Sequence, residues 1–177
     1  MKKTLLVLLF ILLINSASAQ TENKKNRISF ATTAGTGIAV SIPSSTPFLW
    51  QFSGYYNLTE RFFAGAGTGL SLYEELLIPL YGDIKYQIGR TRKITSFAEL
   101  GIGYSFAPNN GVNGGFFMNP TVGIQYPLNN SLKLQIAAGY ELQRLERLKK
   151  KSDSYFEKEF AEKLSHNSIS LKLGLWF

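Results

Sequence analysis

The sequence predicts an all-β fold: an eight-stranded antiparallel up-and-down transmembrane β-barrel with a partly helical last extracellular loop. Three observations predict it. The chain of 177 residues begins with an export signal, apolar residues recur at every second position in eight later segments, and its final ten residues, "SISLKLGLWF", keep the same striping. There is no cysteine, so no disulfide framework holds the fold together.

Residues 1–19 form a predicted signal peptide. Two lysines precede an apolar run from Thr4 to Ile14, and "ASA" precedes Gln20. This order of a basic start, an apolar stretch and small residues is that of a cleaved secretory signal, and the apolar run is too short to span a bilayer. We expect a periplasmic N-terminal segment at 20–26 and a single barrel domain at 27–177.

The charge and composition exclude several classes of function. The net charge of +7 includes two lysines of the signal, and part of the rest lies in predicted loops. An exported chain does not normally meet nucleic acid, so the basic balance does not indicate a nucleic-acid partner. We also predict no cofactor and no metal site, and a monomer.

The first four strands are predicted by alternation of apolar and polar residues. In "IPLYGDIKYQIG", for example, Ile84 and Tyr86 share one face while Asp83 and Lys85 share the other. Alternation with this period indicates a strand with two different faces. The three segments before it, in chain order, are "RISFATTAGTGIAV", "PFLWQFSGYYN" and "RFFAGAGTGLSLY".

The second four strands continue the same pattern. Each segment is about ten residues long, the length that a tilted strand needs to cross a bilayer. In chain order these segments are "TSFAELGIGYSF", "FFMNPTVGIQYP", "LKLQIAAGYELQ" and "SISLKLGLWF".

The apolar face is predicted to face lipid, although the same alternation would suit a soluble barrel with an apolar core. The other face carries the charges and most of the glycines. The apolar face carries aromatic residues near the strand ends, such as Phe48, Tyr86 and Tyr126. Aromatic residues at both margins of an apolar band are typical of membrane barrels.

Loop lengths predict the topology. The connections "NLTE", "GRTRK" and "LNN" are tight and polar, whereas "SIPSST", "APNNGVNGG" and the segment 144–166 are longer. Short periplasmic turns that alternate with longer extracellular loops are typical of outer-membrane barrels. "EEL" is short for an outer loop. An even number of strands places both termini in the periplasm.

On these features the chain resembles the small eight-stranded outer-membrane barrel proteins of Gram-negative bacteria. The resemblance rests on the signal, on the striped segments and on the C-terminal aromatic residue. It implies a location in the outer membrane, contact with outer-membrane lipids and lipopolysaccharide, and insertion by the barrel-assembly machinery. In that family the last strand resembles an assembly signal, which here corresponds to Leu171, Leu173, Leu175 and Phe177. The resemblance does not imply one activity, because such barrels include adhesins and enzymes.

The inward charges are predicted to form a polar network that fills the lumen. A lone charge in so narrow an interior would be costly, so we expect ion pairs: Asp83 with Lys85, Glu99 with Lys133, and Glu141 with Lys172. Inward glycines beside large aromatic residues would complete the packing. This favours a filled lumen over an open channel, and hence a non-enzymatic barrel that acts in envelope integrity, adhesion or partner binding.

Two segments carry the alternative and additional hypotheses. His166 and Ser168, two residues apart, resemble part of the active site of outer-membrane lipid A deacylases, which would make the chain a lipid hydrolase. A nucleophilic serine needs a base and an acid that orients the base, and Glu141 on the preceding strand is the candidate for that acid. The segment 144–165 loses period two, because Leu142, Leu145 and Leu148 step by three. We therefore predict helix there and a partner-binding loop. The binding residues of that loop are Lys149, Lys150, Lys151, Phe156 and Phe160.

Overall fold

The structure is a computed structural model that describes residues 27–40, 46–89, 94–109, 112–153 and 156–177, with side chains described except at 147–163. The predicted signal and the segment 20–26 lie outside the described residues. No helix long and apolar enough to cross a membrane is present in these ranges.

In the described ranges the chain forms nine strands, of which eight are long. The short strand β6 lies in the connection between β5 and β7. The strands are β1 (Ile28–Ala39), β2 (Phe48–Asn57), β3 (Phe62–Leu72), β4 (Leu76–Ile88), β5 (Thr95–Phe106), β6 (Val112–Asn113), β7 (Gly115–Pro127), β8 (Lys133–Asp153) and β9 (Phe156–Trp176).

The eight long strands close into an antiparallel barrel. Each pairs with the long strand before and after it in the chain, and β9 returns to pair with β1 from Ala31↔Trp176 to Ala39↔Ser168. Closure satisfies the backbone groups that an open edge would leave unpaired in lipid. The predicted all-β, up-and-down barrel of eight strands is therefore confirmed.

The two ends of the barrel differ. We call one end the terminal end: it holds Ile28, Phe177 and the connections at 58–61, 89–94 and 128–132. We call the opposite end the loop end: it holds the connections at 40–47, 73–75, 107–114 and 154–155. The last residue is fixed at the terminal end, because its backbone exchanges hydrogen bonds with Phe30 at 2.7 and 2.9 Å.

The apolar face of the sheet points outward and the polar face points into the barrel. Along β4, Ile84 and Tyr86 are exposed while Asp83, Lys85 and Gln87 are buried. A soluble barrel would have the opposite arrangement. The exposed belt includes Ile38, Trp50, Leu80, Ile102, Val122, Ile136, Ile169, Leu171 and Leu173.

Glycines let one large ring occupy the middle of the interior. A Cβ atom at Gly67 would lie 2.5 Å from Tyr81 Cζ, and one at Gly101 would lie 3.0 Å from Tyr81 Cδ2. The Tyr81 ring in turn contacts Phe117, with 5.1 Å between ring centroids. Large and small inward residues therefore complement each other across neighbouring strands, as a narrow barrel requires.

The structure corrects the helical expectation for 144–165. The described backbone there is an antiparallel hairpin whose register continues to Asp153↔Phe156. Leu145 is buried and Leu142 is partly exposed, so a step of three residues places them on opposite faces, as in a strand. Extending the β8–β9 ladder satisfies the same backbone groups that a helix would have satisfied.

Candidate functional site

Inward side chains from seven of the eight long strands, all except β1, form two polar clusters inside the barrel. The terminal cluster surrounds Lys85 and the loop-end cluster surrounds Glu141. Both central residues sit on strands where every second residue points inward, which is why the striping of the sequence collects polar groups there.

Lys85 is the centre of the terminal cluster. Its Nζ lies 2.8 Å from Glu99 Oε2 and donates a hydrogen bond of 2.8 Å to Gln135 Oε1. The same ammonium lies over the rings of Phe97 and Trp176, at 3.8 and 4.6 Å from their centroids. An ion pair, a neutral acceptor and two aromatic faces thus compensate the burial of this cation.

Two of the expected ion pairs have different partners in the structure. Lys85 pairs with Glu99 because the two residues lie directly opposite each other on β4 and β5. Opposed side chains are closer than residues two apart on one strand, so Asp83 is not the partner of Lys85. Asp83 Oδ2 instead accepts hydrogen bonds from Tyr55 (2.6 Å) and Ser53 (3.4 Å).

Glu141 is the centre of the loop-end cluster and is fully buried. One carboxylate oxygen, Oε1, accepts hydrogen bonds from Gln143 at 2.7 Å, from Ser71 at 3.2 Å and from Tyr73 at 3.2 Å. Several donors of this kind stabilise a carboxylate that has no access to water.

The other carboxylate oxygen of Glu141, Oε2, faces Lys172, the cation that was predicted to pair with it. Lys172 Nζ lies 3.8 Å from Glu141 Oε2 and donates a hydrogen bond of 3.0 Å to Gln51 Oε1. Gln51 also accepts from Asn119 at 3.3 Å, so this amide of β2 bridges to β7 and β9. Side chains therefore connect opposite walls of the barrel at this level.

The three residues of the alternative hydrolase hypothesis lie close together, with Tyr73 between them. The hydroxyl of Ser168 is 3.2 Å from the Tyr73 hydroxyl, and Tyr73 donates to Glu141. His166 stacks on the Tyr73 ring, with 4.8 Å between centroids. Burial raises the pKa of the Tyr73 phenol, and the nearby Glu141 carboxylate raises it further, so this hydroxyl stays protonated and can donate.

An apolar cluster lies at the loop end of the interior. Leu77, Val112 and Leu145 are buried together, and Tyr73 and Leu164 pack against them. Val112 belongs to β6, which pairs with β8 through Val112↔Arg147 and Asn113↔Glu146. The connection between β5 and β7 therefore covers part of the mouth of the barrel.

Sequence reasoning missed Tyr73 and gave no role to the glutamines. Gln51, Gln135 and Gln143 lie on the same face of their strands as the charged residues. The alternation of polar and apolar residues would therefore have placed these glutamines inside the barrel. Tyr73 is the last residue of the striped segment "RFFAGAGTGLSLY" and comes two residues after the buried Ser71, so the striping would have placed it inward as well. In the described ranges no three His, Asp or Glu side chains come together as a metal site.

The side chains of the predicted partner-binding residues lie outside the described part of the structure. Lys149, Lys150, Lys151, Phe156 and Phe160 all fall within 147–163, so their role stays a prediction. The predicted assembly-signal residues lie on β9, where Leu171 and Leu173 point outward and Phe177 follows the strand. Their recognition during assembly also stays a prediction.

The fold is similar to that of solved bacterial outer-membrane barrels. Neisserial surface protein A is 12% identical over 85% of this chain and 96% of its own, with a TM-score of 0.59. The outer membrane protein AlkL is 12% identical over 90% of this chain and 93% of its own, with a TM-score of 0.54. A de novo designed transmembrane β-barrel is 11% identical over 88% of this chain, with a TM-score of 0.51. No protein-family profile and no curated protein sequence matches the chain.

Proposed function

We propose that the chain is an outer-membrane barrel protein with a filled lumen, and that it acts through its loop end in envelope integrity, adhesion or partner binding. The observation that carries the proposal is the bridging of opposite walls by buried side chains. Gln51 of β2 connects to Asn119 of β7 and Lys172 of β9. An outward apolar belt together with an inward polar network supports a membrane location.

Several parts of the proposal rest on the resemblance to outer-membrane barrels. The termini face the periplasm, the barrel-assembly machinery inserts the chain, and outer-membrane lipids with lipopolysaccharide surround it. The predicted loop residues Lys149, Lys150, Lys151, Phe156 and Phe160 are proposed to contact an extracellular partner. Aromatic and basic residues together suit a partner surface that has anionic groups.

We expect the purified barrel to produce no stepwise ion current when it is inserted into planar bilayers. The buried bonds of Gln51, Lys172 and Glu141 block the lumen at one level. The double variant E141A/K172A removes both charges together and so leaves no lone buried charge, and we expect it to stay without current as well, because the Tyr81–Phe117 pair and the Lys85 cluster fill the lumen at other levels. Stepwise currents from the unmodified barrel would contradict the proposal.

A second candidate function is lipid hydrolysis by Ser168 with His166 and Glu141. It is favoured by one observation: the Ser168 hydroxyl is linked through the Tyr73 hydroxyl to the Glu141 carboxylate. Against it, the partner of Ser168 is a phenol that stays protonated and not an imidazole, and a nucleophile needs a base.

We expect Ser168→Ala to leave the acylation of lipid A unchanged in cells that express the barrel. The measurement is mass spectrometry of extracted lipid A. Ser170→Ala is the matched control, because Ser170 points inward from the same strand, where it bonds to the Gly139 carbonyl. If Ser168→Ala alone abolished a deacylated lipid species, the hydrolase would replace the non-enzymatic function.

A further inference from the structure

The connections at the two ends of the barrel differ in charge. Together with the residue before β1, the connections of the terminal end contain one acidic residue, Glu60, and five basic residues: Arg27, Arg61, Arg90, Arg92 and Lys93. The connections of the loop end, together with the hairpin at 144–165, contain as many acidic as basic residues. The excess of positive charge therefore lies at the terminal end, where it attracts anions.

Of these cations, Arg27 and Arg61 lie in the described part of the structure. Arg61 is exposed at the end of the turn between β2 and β3, and among the described residues no carboxylate forms an ion pair with it. Glu60, in the same turn, has a contact of its own. The backbone of Arg61 is fixed, because its amide donates to Thr59 Oγ1 at 3.2 Å and its carbonyl accepts from the Gln87 amide at 2.8 Å. A guanidinium is thus available for an anion at a fixed point of the rim.

A shallow apolar groove on the outer face of the barrel borders this turn. Its volume is about 170 Å³, and its outward side chains come from β3, β4 and β5: Phe62, Ile84, Tyr86, Ala98 and Leu100. Lys85 and Glu99 lie between these residues in their strands, but their side chains point into the barrel, where they pair with each other. Ala98 is directly opposite Tyr86 and is too small to fill the space beside that ring. The groove therefore exposes an apolar surface to the surroundings of the barrel.

The groove and Arg61 lie at neighbouring levels of the barrel wall. Phe62 pairs with Tyr86 at the terminal edge of the groove, and Arg61 directly precedes Phe62 in the chain. Both rings are exposed, and exposed aromatic residues at the end of an apolar belt mark the level of lipid headgroups. The guanidinium is thus on the headgroup side of this edge and the groove is on the hydrocarbon side.

This arrangement matches a phospholipid with a net negative charge. A guanidinium forms charge-assisted hydrogen bonds with phosphate oxygens, and an apolar groove on the hydrocarbon side suits an acyl chain. The ammonium of a zwitterionic headgroup would instead meet the excess of positive charge at the terminal end. A soluble phosphate would use the guanidinium but would leave the groove without a ligand.

We propose that Arg61 and the groove beside it bind an anionic membrane phospholipid, such as phosphatidylglycerol, in the leaflet that surrounds the terminal end. The phosphate contacts Arg61, and an acyl chain packs on Phe62, Tyr86 and Ala98. The inference rests on the proposed membrane location and specifies one lipid partner for the terminal end. It does not depend on whether the lumen conducts ions or on any hydrolytic activity.

The experiment compares phosphatidylglycerol with phosphatidylcholine of identical acyl chains on the detergent-solubilised barrel. Native mass spectrometry measures the fraction of barrels that retain each lipid. We expect phosphatidylglycerol to be retained about tenfold more strongly. Arg61→Gln should weaken the retention of phosphatidylglycerol by about fivefold and leave that of phosphatidylcholine unchanged. Ala98→Phe should weaken the retention of both lipids by about threefold, because the ring fills the groove and the guanidinium remains.

Each variant has a matched control at an exposed position away from the groove. Arg144→Gln removes an exposed arginine at the loop end, and Ala138→Phe adds a ring at an outward alanine of β8. Heat-modifiable gel migration verifies that every variant folds.

Equal retention of the two lipids by the unmodified barrel would overturn the proposal. Equal effects of Arg61→Gln and Arg144→Gln, or of Ala98→Phe and Ala138→Phe, would do the same. So would displacement of phosphatidylglycerol by an equal concentration of soluble glycerol phosphate, which has no acyl chain. Failure of the membrane proposal would show separately, as absence of the chain from the outer-membrane fraction of cells.

Discussion

Replacing Lys85 with methionine should destabilise the barrel by about 3–5 kcal/mol, the cost of breaking a buried ion pair from one side. Lys85 is fully buried and its ammonium contacts Glu99, Gln135 and the face of Phe97. Methionine retains most of the volume but leaves the Glu99 carboxylate without its cation. The loss should appear as a lower midpoint of denaturant unfolding in lipid vesicles, followed by tryptophan fluorescence.

Two further variants test whether the lost charge pairing is the cause. In K85M/E99L both charges are removed, so most of the lost stability should return. K133M removes a lysine at the start of β8 that is only partly buried. We expect this variant to change the free energy of unfolding by less than about 1 kcal/mol. If K85M and K133M had equal effects, Lys85 would not be the centre of a stabilising cluster.

The barrel could be predicted from the sequence because its strands follow a strict two-residue period. The face assignment was also predictable, since a charged residue such as Asp83 alternates with an apolar residue such as Ile84. The alternation, together with the lengths of the connections, determines which residues face outward and which face the lumen. A shift of one residue would reverse both faces, so the pattern strongly restricts the register.

The contacts inside the lumen were less predictable than the faces. Pairing Lys85 with Glu99 requires the register between β4 and β5, which depends on how many residues the turn at 89–94 takes up. The helical expectation for the last loop failed for a related reason. Spacing of three between leucines is a local signal, whereas the β8–β9 ladder is set by pairing between two segments.

The orientation of the sheet has a direct consequence for charges on the outer face. Val122 lies in the middle of β7, opposite Ala98 and Ala138, and the residue is 61% exposed. Val122→Arg should destabilise the barrel in lipid vesicles by about 2–4 kcal/mol, the cost of an arginine at the bilayer midplane. The measurement is the shift in the unfolding midpoint relative to the unmodified barrel.

Val40→Arg is the matched control for the outer face, because Val40 follows β1 at the loop end and is 60% exposed. Val122 and Val40 are therefore almost equally exposed and differ mainly in their expected depth in the bilayer. Near the headgroups an arginine side chain reaches water, so we expect V40R to cost at most about 1 kcal/mol. Equal costs for V122R and V40R would mean that the exposed belt does not cross the hydrocarbon core. A large cost for V122R alone assigns the belt to lipid, since the same valine on a water-facing surface would accept arginine with little change.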